Sequence, residues 1–124
     1  VEALLLSDQD ARAELHALVR ALARGEWEEA PRLVAQEDSD PWDAERFREA
    51  LAPFLAEHGT LRATPEARQA RLTQLQPALP RIFDVAHGLV DPQGEALWAI
   101  HGRIDLRGQQ DPEGPIVRVL RIGP

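Results

Sequence analysis

The stretch LVDPQGEALWAIHGRIDLR, residues 89–107, decides the fold of this chain. Its opening apolar run is followed by DPQG, which has Asp, Pro and Gly at the positions that a type I turn prefers. Large apolar residues then alternate with His101, Arg103 and Asp105, as is typical of a half-buried strand. Together with RIFDVAHGLV, residues 81–90, the stretch predicts an antiparallel hairpin with one apolar and one polar face.

The length of the turn predicts which residues of the hairpin pair. If DPQG is the whole loop, Val90 faces Glu95, and Gly102 lies under the ring of Phe83. The opposite face then has Asp84 across from His101, with Arg103 diagonal to Asp84 and Asp105 beyond. One face gathers the large apolar side chains, which are Phe83, Val85, Leu89, Trp98, Ile100 and Ile104.

The polar row can be interpreted in two ways. An aspartate that faces a histidine can fix its tautomer and raise its basicity, so Asp84 and His101 are the minimal pair for general acid–base catalysis. The solvated face of any antiparallel sheet shows the same alternation, and we favour that interpretation. The sequence therefore predicts a polar surface and no catalytic residue.

His87 departs from the pattern because it falls on the apolar face, beside Trp98. The favoured interpretation is a neutral histidine that is hydrogen-bonded at the edge of the core, and the alternative is a residue that lines a pocket and contacts a ligand. The four histidines of the chain do not have the spacing of a metal motif, so neither a metal site nor a cofactor is predicted.

Three stretches near the N-terminus have the apolar spacing of one-faced helices. The first starts at Ser7 and Asp10, a pair that resembles a capping box, and ends at Gly25. The second covers residues 27–34, where Pro31 lies too deep for a first-turn proline. Either this helix kinks at Pro31, or a turn precedes a short helix that begins there.

The third helix has Asp40 as its predicted N-cap, a bend at Pro53 and Gly59 at its end. Beyond it the apolar period changes to that of strands, with candidates at residues 60–64, 71–76 and 115–122 in addition to the hairpin. We expect an α+β fold in which three N-terminal helices pack on a curved antiparallel sheet of four to five strands.

Composition limits the function classes. The 124 residues suffice for one domain, residues 1–124, and no run approaches a membrane span, so a cytoplasmic location is expected. Absence of Cys excludes disulfides and thiolate sites, and absence of Lys excludes Schiff-base chemistry. The bias toward Arg, Ala, Leu, Pro and Gly is typical of a GC-rich genome, and a chain that opens at Val1 without any Met suggests either a piece of a longer polypeptide or a GTG start.

The charge is uneven along the chain. The net charge is -7, and residues 1–79, with nine Arg against fifteen acidic residues, hold -6 of it. Residues 80–124 have five Arg against six acidic residues and are nearly neutral. Because an acidic domain repels phosphate backbones, we expect no autonomous nucleic-acid binding.

The order of these pieces resembles a family. RGEWEEAPRLV, ERFREALAPFLAEHG and LVDPQGEALWAIHGRIDL, followed by VRVLRI, are similar to the uncharacterised domain found C-terminal to bacterial DEAD/DEAH-box helicases, over roughly residues 10–122. Helices followed by an antiparallel meander are also similar to the nuclear-transport-factor-2-like cone. The resemblance implies no catalytic residues, and none of the ATP-binding motifs of a helicase motor is present.

Two hypotheses follow. The first is a non-catalytic accessory domain whose partner is the helicase motor, in cis, or another protein; a homodimer stays open. The second is a small-molecule-binding domain or enzyme that uses a pocket inside the cone. An inner face closed by Trp27, Trp42, Phe54 and Trp98 favours the first, and a deep polar pocket favours the second. The candidate residues for a pocket or binding surface are His87, Trp98, Asp84, His101 and Arg103.

Overall fold

The computed structural model describes residues 2–63, 65, 69–107 and 114–124. In this part of the chain the strands form one antiparallel sheet in the order β1-β2-β3-β4, so the predicted α+β class is confirmed. No helix among these residues is long and apolar enough to cross a membrane. The elements are α1 Glu2–Ala23, α2 Ala44–His58, β1 Thr73–Leu79, β2 Ile82–Leu89, β3 Trp98–Asp105 and β4 Val117–Gly123.

The prediction of three N-terminal α-helices is wrong, because the second predicted helix, over residues 27–34, does not form. Around Pro31 the chain forms only a short 3-10 turn, Ala30–Leu33, because the proline has no N–H with which to continue a helical ladder. Just after this turn the N–H of Ala35 donates to the carbonyl of Val117, with 2.8 Å between nitrogen and oxygen. The hydrogen bond to β4 directs the chain along the sheet edge.

The start of α2 also differs from the prediction, since Asp43 rather than Asp40 is the N-cap. The carboxylate of Asp43 accepts the N–H of Arg46 at 2.8 Å. The preceding residue, Trp42, is held by the side chain of Gln36, which accepts its N–H and donates to its carbonyl, both at 2.9 Å. These backbone groups are thus engaged with a side chain before the helix begins.

The remaining helix bounds to compare with the prediction are the start of α1 and the end of α2. α1 begins at Glu2 rather than at Ser7. α2 continues through Pro53 and closes at Gly59, whose φ of 84° lies in the left-handed region and whose N–H donates to Leu55 at 2.8 Å. Residues 60–63 of the predicted strand at 60–64 are not in a strand. Residue 64, residues 66–68 and residues 108–113 of the predicted GQQDPEG turn lie outside the described residues.

The helices cover one face of the sheet, which we call the inner face. The predicted apolar cluster lies there: Val85, Ile100 and Ile104 are buried, while Phe83 and Trp98 are partly buried against the same core. The two helices contribute further large apolar side chains to this core, which are Leu15, Leu18, Leu22, Phe47, Leu51 and Phe54. The predicted inner face is therefore confirmed.

Glu14 attaches α1 to the sheet. Its carboxylate accepts the N–H groups of Ile116 and Val117 at the start of β4, at 2.7 and 2.9 Å. Burial raises the pKa of Glu14, and the two backbone hydrogen bonds oppose that rise without cancelling it. The sheet edge at the start of β4 is thus closed by Glu14 and Ala35.

The predicted pairing in the central hairpin is wrong by two residues. Val85 lies opposite Gly102 rather than Ile100. The loop between β2 and β3 is longer than DPQG: β2 ends at Leu89 and β3 begins at Trp98, so residues 90–97, and not only residues 91–94, connect the two strands. A shift of two residues keeps each side chain on its face, so the faces are correct although the partners are not.

Candidate functional site

The candidate residues lie on opposite faces of the sheet. His87 and Trp98 are on the inner face, within or against the core. Asp84, His101 and Arg103 are on the other face, which the helices leave uncovered and which we call the open face. No single cavity can therefore be lined by all five residues.

His87 is fully buried, with 0% of its surface exposed. Its Nδ1 and the Oγ1 of Thr73 are 2.8 Å apart and hydrogen-bonded, and its ring contacts that of His16 edge-on at 5.7 Å between centroids. Trp98 packs edge-on against Phe54, with centroids 5.6 Å apart. These contacts agree with the favoured interpretation of His87 as a hydrogen-bonded core histidine, and they place Trp98 in the packing of α2 on the sheet.

The predicted pairing of Asp84 with His101 is wrong because of the shifted register. Asp84 lies opposite Arg103, and its Oδ1 is 3.1 Å from both Nε and Nη2 of that guanidinium. His101 lies between Ala86 on β2 and Arg121 on β4. The carboxylate that a general base would need is thus held by Arg103 instead.

The surroundings of His101 keep it neutral. Partial burial lowers the pKa of His101 below 6.5, and the nearby charge of Arg121 lowers it further. Within the described chain no carboxylate hydrogen-bonds or pairs with this imidazole. The arrangement lacks the orienting acid of an acid–base pair, and no group of metal-ligating side chains lies within the same described residues.

Two depressions shape the open face. One has a cavity volume of about 400 Å³ and is lined by Gln74, Gln76, Asp84, His101 and Arg103, with Ala86, Gly102 and Leu120 also in its wall. The second, of about 280 Å³, lies between β3, β4 and the loop around Gln36, and Arg103 lines both depressions. The open face is therefore concave, with polar side chains in the lining of both depressions.

Sequence reasoning missed several polar side chains of this concavity. Glu37, from the loop before α2, pairs with Arg118 at 2.7 Å, although nothing in the sequence connects positions so far apart. Gln74 and Gln76 could have been assigned to the open face, because they alternate with Leu75 on β1. The Asp105 carboxylate accepts hydrogen bonds from the side chain and the backbone N–H of Arg107, and these bonds lower the pKa of Asp105 to about 2.

Removing the side chain of either Asp84 or His101 tests how much the open face contributes to stability. We expect Asp84→Ala and His101→Ala each to lower the free energy of unfolding by about 1 kcal/mol or less, because exposed cross-strand pairs contribute little. Urea unfolding followed by tryptophan fluorescence measures the change. A loss of several kcal/mol for either variant would contradict this assignment to an exposed surface.

The fold and the site define an α+β domain with a closed inner face and a polar, concave open face on its sheet. A family model described as Domain of unknown function (DUF3516) matches residues 8–122, and the chain belongs to this family. Comparison with curated proteins and with solved structures gave no match.

Proposed function

We propose that this domain is a non-catalytic interaction module that works within or beside a bacterial, cytoplasmic DEAD/DEAH-box helicase. The proposal includes the nuclear-transport-factor-2-like form of the fold, supported by helices that cover one face of an antiparallel sheet. The observation that carries it is the contrast between the two faces. The inner face is closed by packed side chains, whereas the open face presents charged groups across β2, β3 and β4.

The inner face supports interaction over a ligand pocket within the fold. Phe54 and Trp42 are buried in the core, at 1% and 4% exposure, and Trp27 and Trp98 pack against it. The alternative, a small-molecule-binding domain or enzyme, needs polar groups that converge inside the sheet. His87 is instead hydrogen-bonded to Thr73, while the other polar candidates lie on the open face.

The charge of the domain leads to a test with nucleic acid. We expect the 124-residue chain to show no salt-dependent binding to labelled single-stranded RNA at low micromolar concentration, because its net charge of -7 opposes phosphate contacts. Fluorescence anisotropy at several salt concentrations measures this. Tight, salt-sensitive binding would contradict the absence of autonomous nucleic-acid affinity.

A second experiment tests the interaction role. Deleting the domain from a full-length helicase of this family should alter unwinding or the recruitment of partner proteins, while the ATPase chemistry belongs to the motor domains. RNA-stimulated ATP hydrolysis of the same deletion protein serves as the folding control. Unchanged unwinding and unchanged recruitment together would remove the reason to prefer this proposal over a ligand-binding role.

A further inference from the structure

Cationic side chains are concentrated between β3 and β4 on the open face. Arg103 and Arg118 lie directly opposite each other, and Arg121 lies opposite His101. Like charges at directly opposed positions of an antiparallel pair are unfavourable. A chain that is acidic as a whole thus places three arginines on the open face of these two strands, one of them opposite His101.

Two of these three arginines are paired with carboxylates from neighbouring elements. Asp84 holds Arg103 from β2, with 3.1 Å between nitrogen and oxygen, and Glu37 holds Arg118 from the loop before α2 at 2.7 Å. Arg121 differs from both: among the described residues no Asp or Glu side chain pairs with it, and its Nη1 donates only to the main-chain oxygen of Pro124 at 3.4 Å. A guanidinium without a carboxylate partner among the described residues thus remains at Arg121, on the edge strand β4.

The shape of the face suits an extended chain. The two depressions share Arg103 in their linings, and their lining residues come from all four strands, from Gln74 on β1 to Arg118 on β4. Three interstrand spacings amount to about 14 Å, the length of about four extended residues. The small side chain of Ala86 lies in the lining, and the side-chain amides of Gln74 and Gln76 can both donate to and accept from peptide groups.

The same features disfavour single-stranded RNA. Non-specific single-strand binding relies on aromatic side chains that stack on the bases. No Phe or Trp lines the depressions on the described part of this face, and the chain contains no Tyr.

We propose that the open face binds an extended acidic segment of a partner protein, with one of its carboxylates at Arg121 beside His101 and its peptide groups at Gln74 and Gln76. This inference rests on the proposed interaction function and specifies the chemistry of the partner. The carboxylate would complete the charge compensation that Asp84 and Glu37 provide for the two neighbouring arginines.

A labelled model peptide tests the proposal. Fluorescence anisotropy would follow a fluorescein-labelled peptide of alternating Glu and Ala on addition of the 124-residue chain, with a peptide of alternating Gln and Ala as the neutral probe. The double variant Arg103→Ala/Arg121→Ala should bind the acidic peptide about fivefold or more weakly. Its matched control is Arg24→Ala/Arg48→Ala, which removes the same charge from exposed positions on the helical side and should bind within about twofold of the unaltered chain.

NMR of His101 provides a readout that a purely structural role of the arginines would not change. Binding of the acidic peptide should raise the pKa of His101, because a carboxylate beside an imidazole favours its protonated form, while the pKa values of the other histidines should not change.

Absence of binding at about 1 mM chain would overturn the proposal. Equal losses in the two double variants, or tighter Arg121-dependent binding of oligouridylate than of the peptide, would also overturn it. The titration tests this surface and the helicase deletion tests the proposed function, so either can fail while the other holds.

Discussion

Replacing Asp91 by Ala is expected to lower the free energy of unfolding by about 3 kcal/mol. Asp91 is the first residue of the DPQG turn and is buried, with 2% of its surface exposed. Its Oδ1 accepts the N–H groups of Gln93 and Glu95 at 2.9 and 3.0 Å. Without the carboxylate, two N–H groups of the turn lose their acceptor, and each hydrogen bond to a charged acceptor contributes about 1.5–3 kcal/mol.

Two further variants separate burial from hydrogen bonding. Asp91→Asn keeps an oxygen at Oδ1 and should lose less than Asp91→Ala. Asp105→Ala removes a more exposed carboxylate that also accepts a backbone N–H, from Arg107 at 3.0 Å, and should destabilise the chain clearly less than Asp91→Ala. Urea unfolding followed by tryptophan fluorescence compares the three variants. Similar losses for Asp91→Ala and Asp105→Ala would contradict a special role for the buried turn.

The contacts of this turn show what sequence could and could not predict. Local preferences of Asp, Pro and Gly were sufficient to locate the turn at residues 91–94. They could not indicate that Arg62 donates to the carbonyl of Pro92, or that His58, at the end of α2, lies 3.8 Å from the Asp91 carboxylate. These contacts join residues that are about thirty positions apart, and they depend on how α2 packs against the hairpin.

The candidate site was predictable to the same extent. Alternation with a period of two correctly assigned Asp84, His101 and Arg103 to one face, because that assignment needs only the pleat of a strand. Which residues face each other depends on the loop, which covers residues 90–97 and so includes residues on both sides of the Asp-Pro-Gln-Gly turn. The error of two residues gave Asp84 the wrong partner. The sequence offered a possible catalytic pair with His101, whereas the structure has an ion pair with Arg103.

Gly102 was also assigned to the wrong neighbour, and its true surroundings give the second large expected effect. The register shifts between His101 and Gly102, where β4 has an extra residue. A Cβ at position 102 would lie 2.7 Å from the carbonyl oxygen of Arg118 and 3.3 Å from a methyl group of Val85. Because the oxygen belongs to the backbone, β4 would have to move, and we expect Gly102→Ala to lower the free energy of unfolding by about 2 kcal/mol.

Gly123→Ala is the matched control within the same strand pair. Its Cβ would meet Nη1 of Arg121 at 3.2 Å, the far end of a flexible side chain that can give way. Since Ala restricts the unfolded chain more than Gly, this variant should be neutral or stabilising by up to about 1 kcal/mol. Urea unfolding of both variants, with the unaltered chain as reference, measures the difference. Equal stability of the two would show that β4 accommodates a side chain at Gly102 without moving.

Gly102→Ala also connects the fold to the open face. Arg118 and Arg121 lie on either side of the position where β4 would be displaced, so a shift of this strand changes their distances from Arg103 and His101. Under native conditions, where the variant is still folded, we therefore expect weaker binding of the acidic peptide as well as lower stability. Lower stability with unchanged peptide affinity would mean that the spacing of the arginines on β3 and β4 does not set recognition by this face.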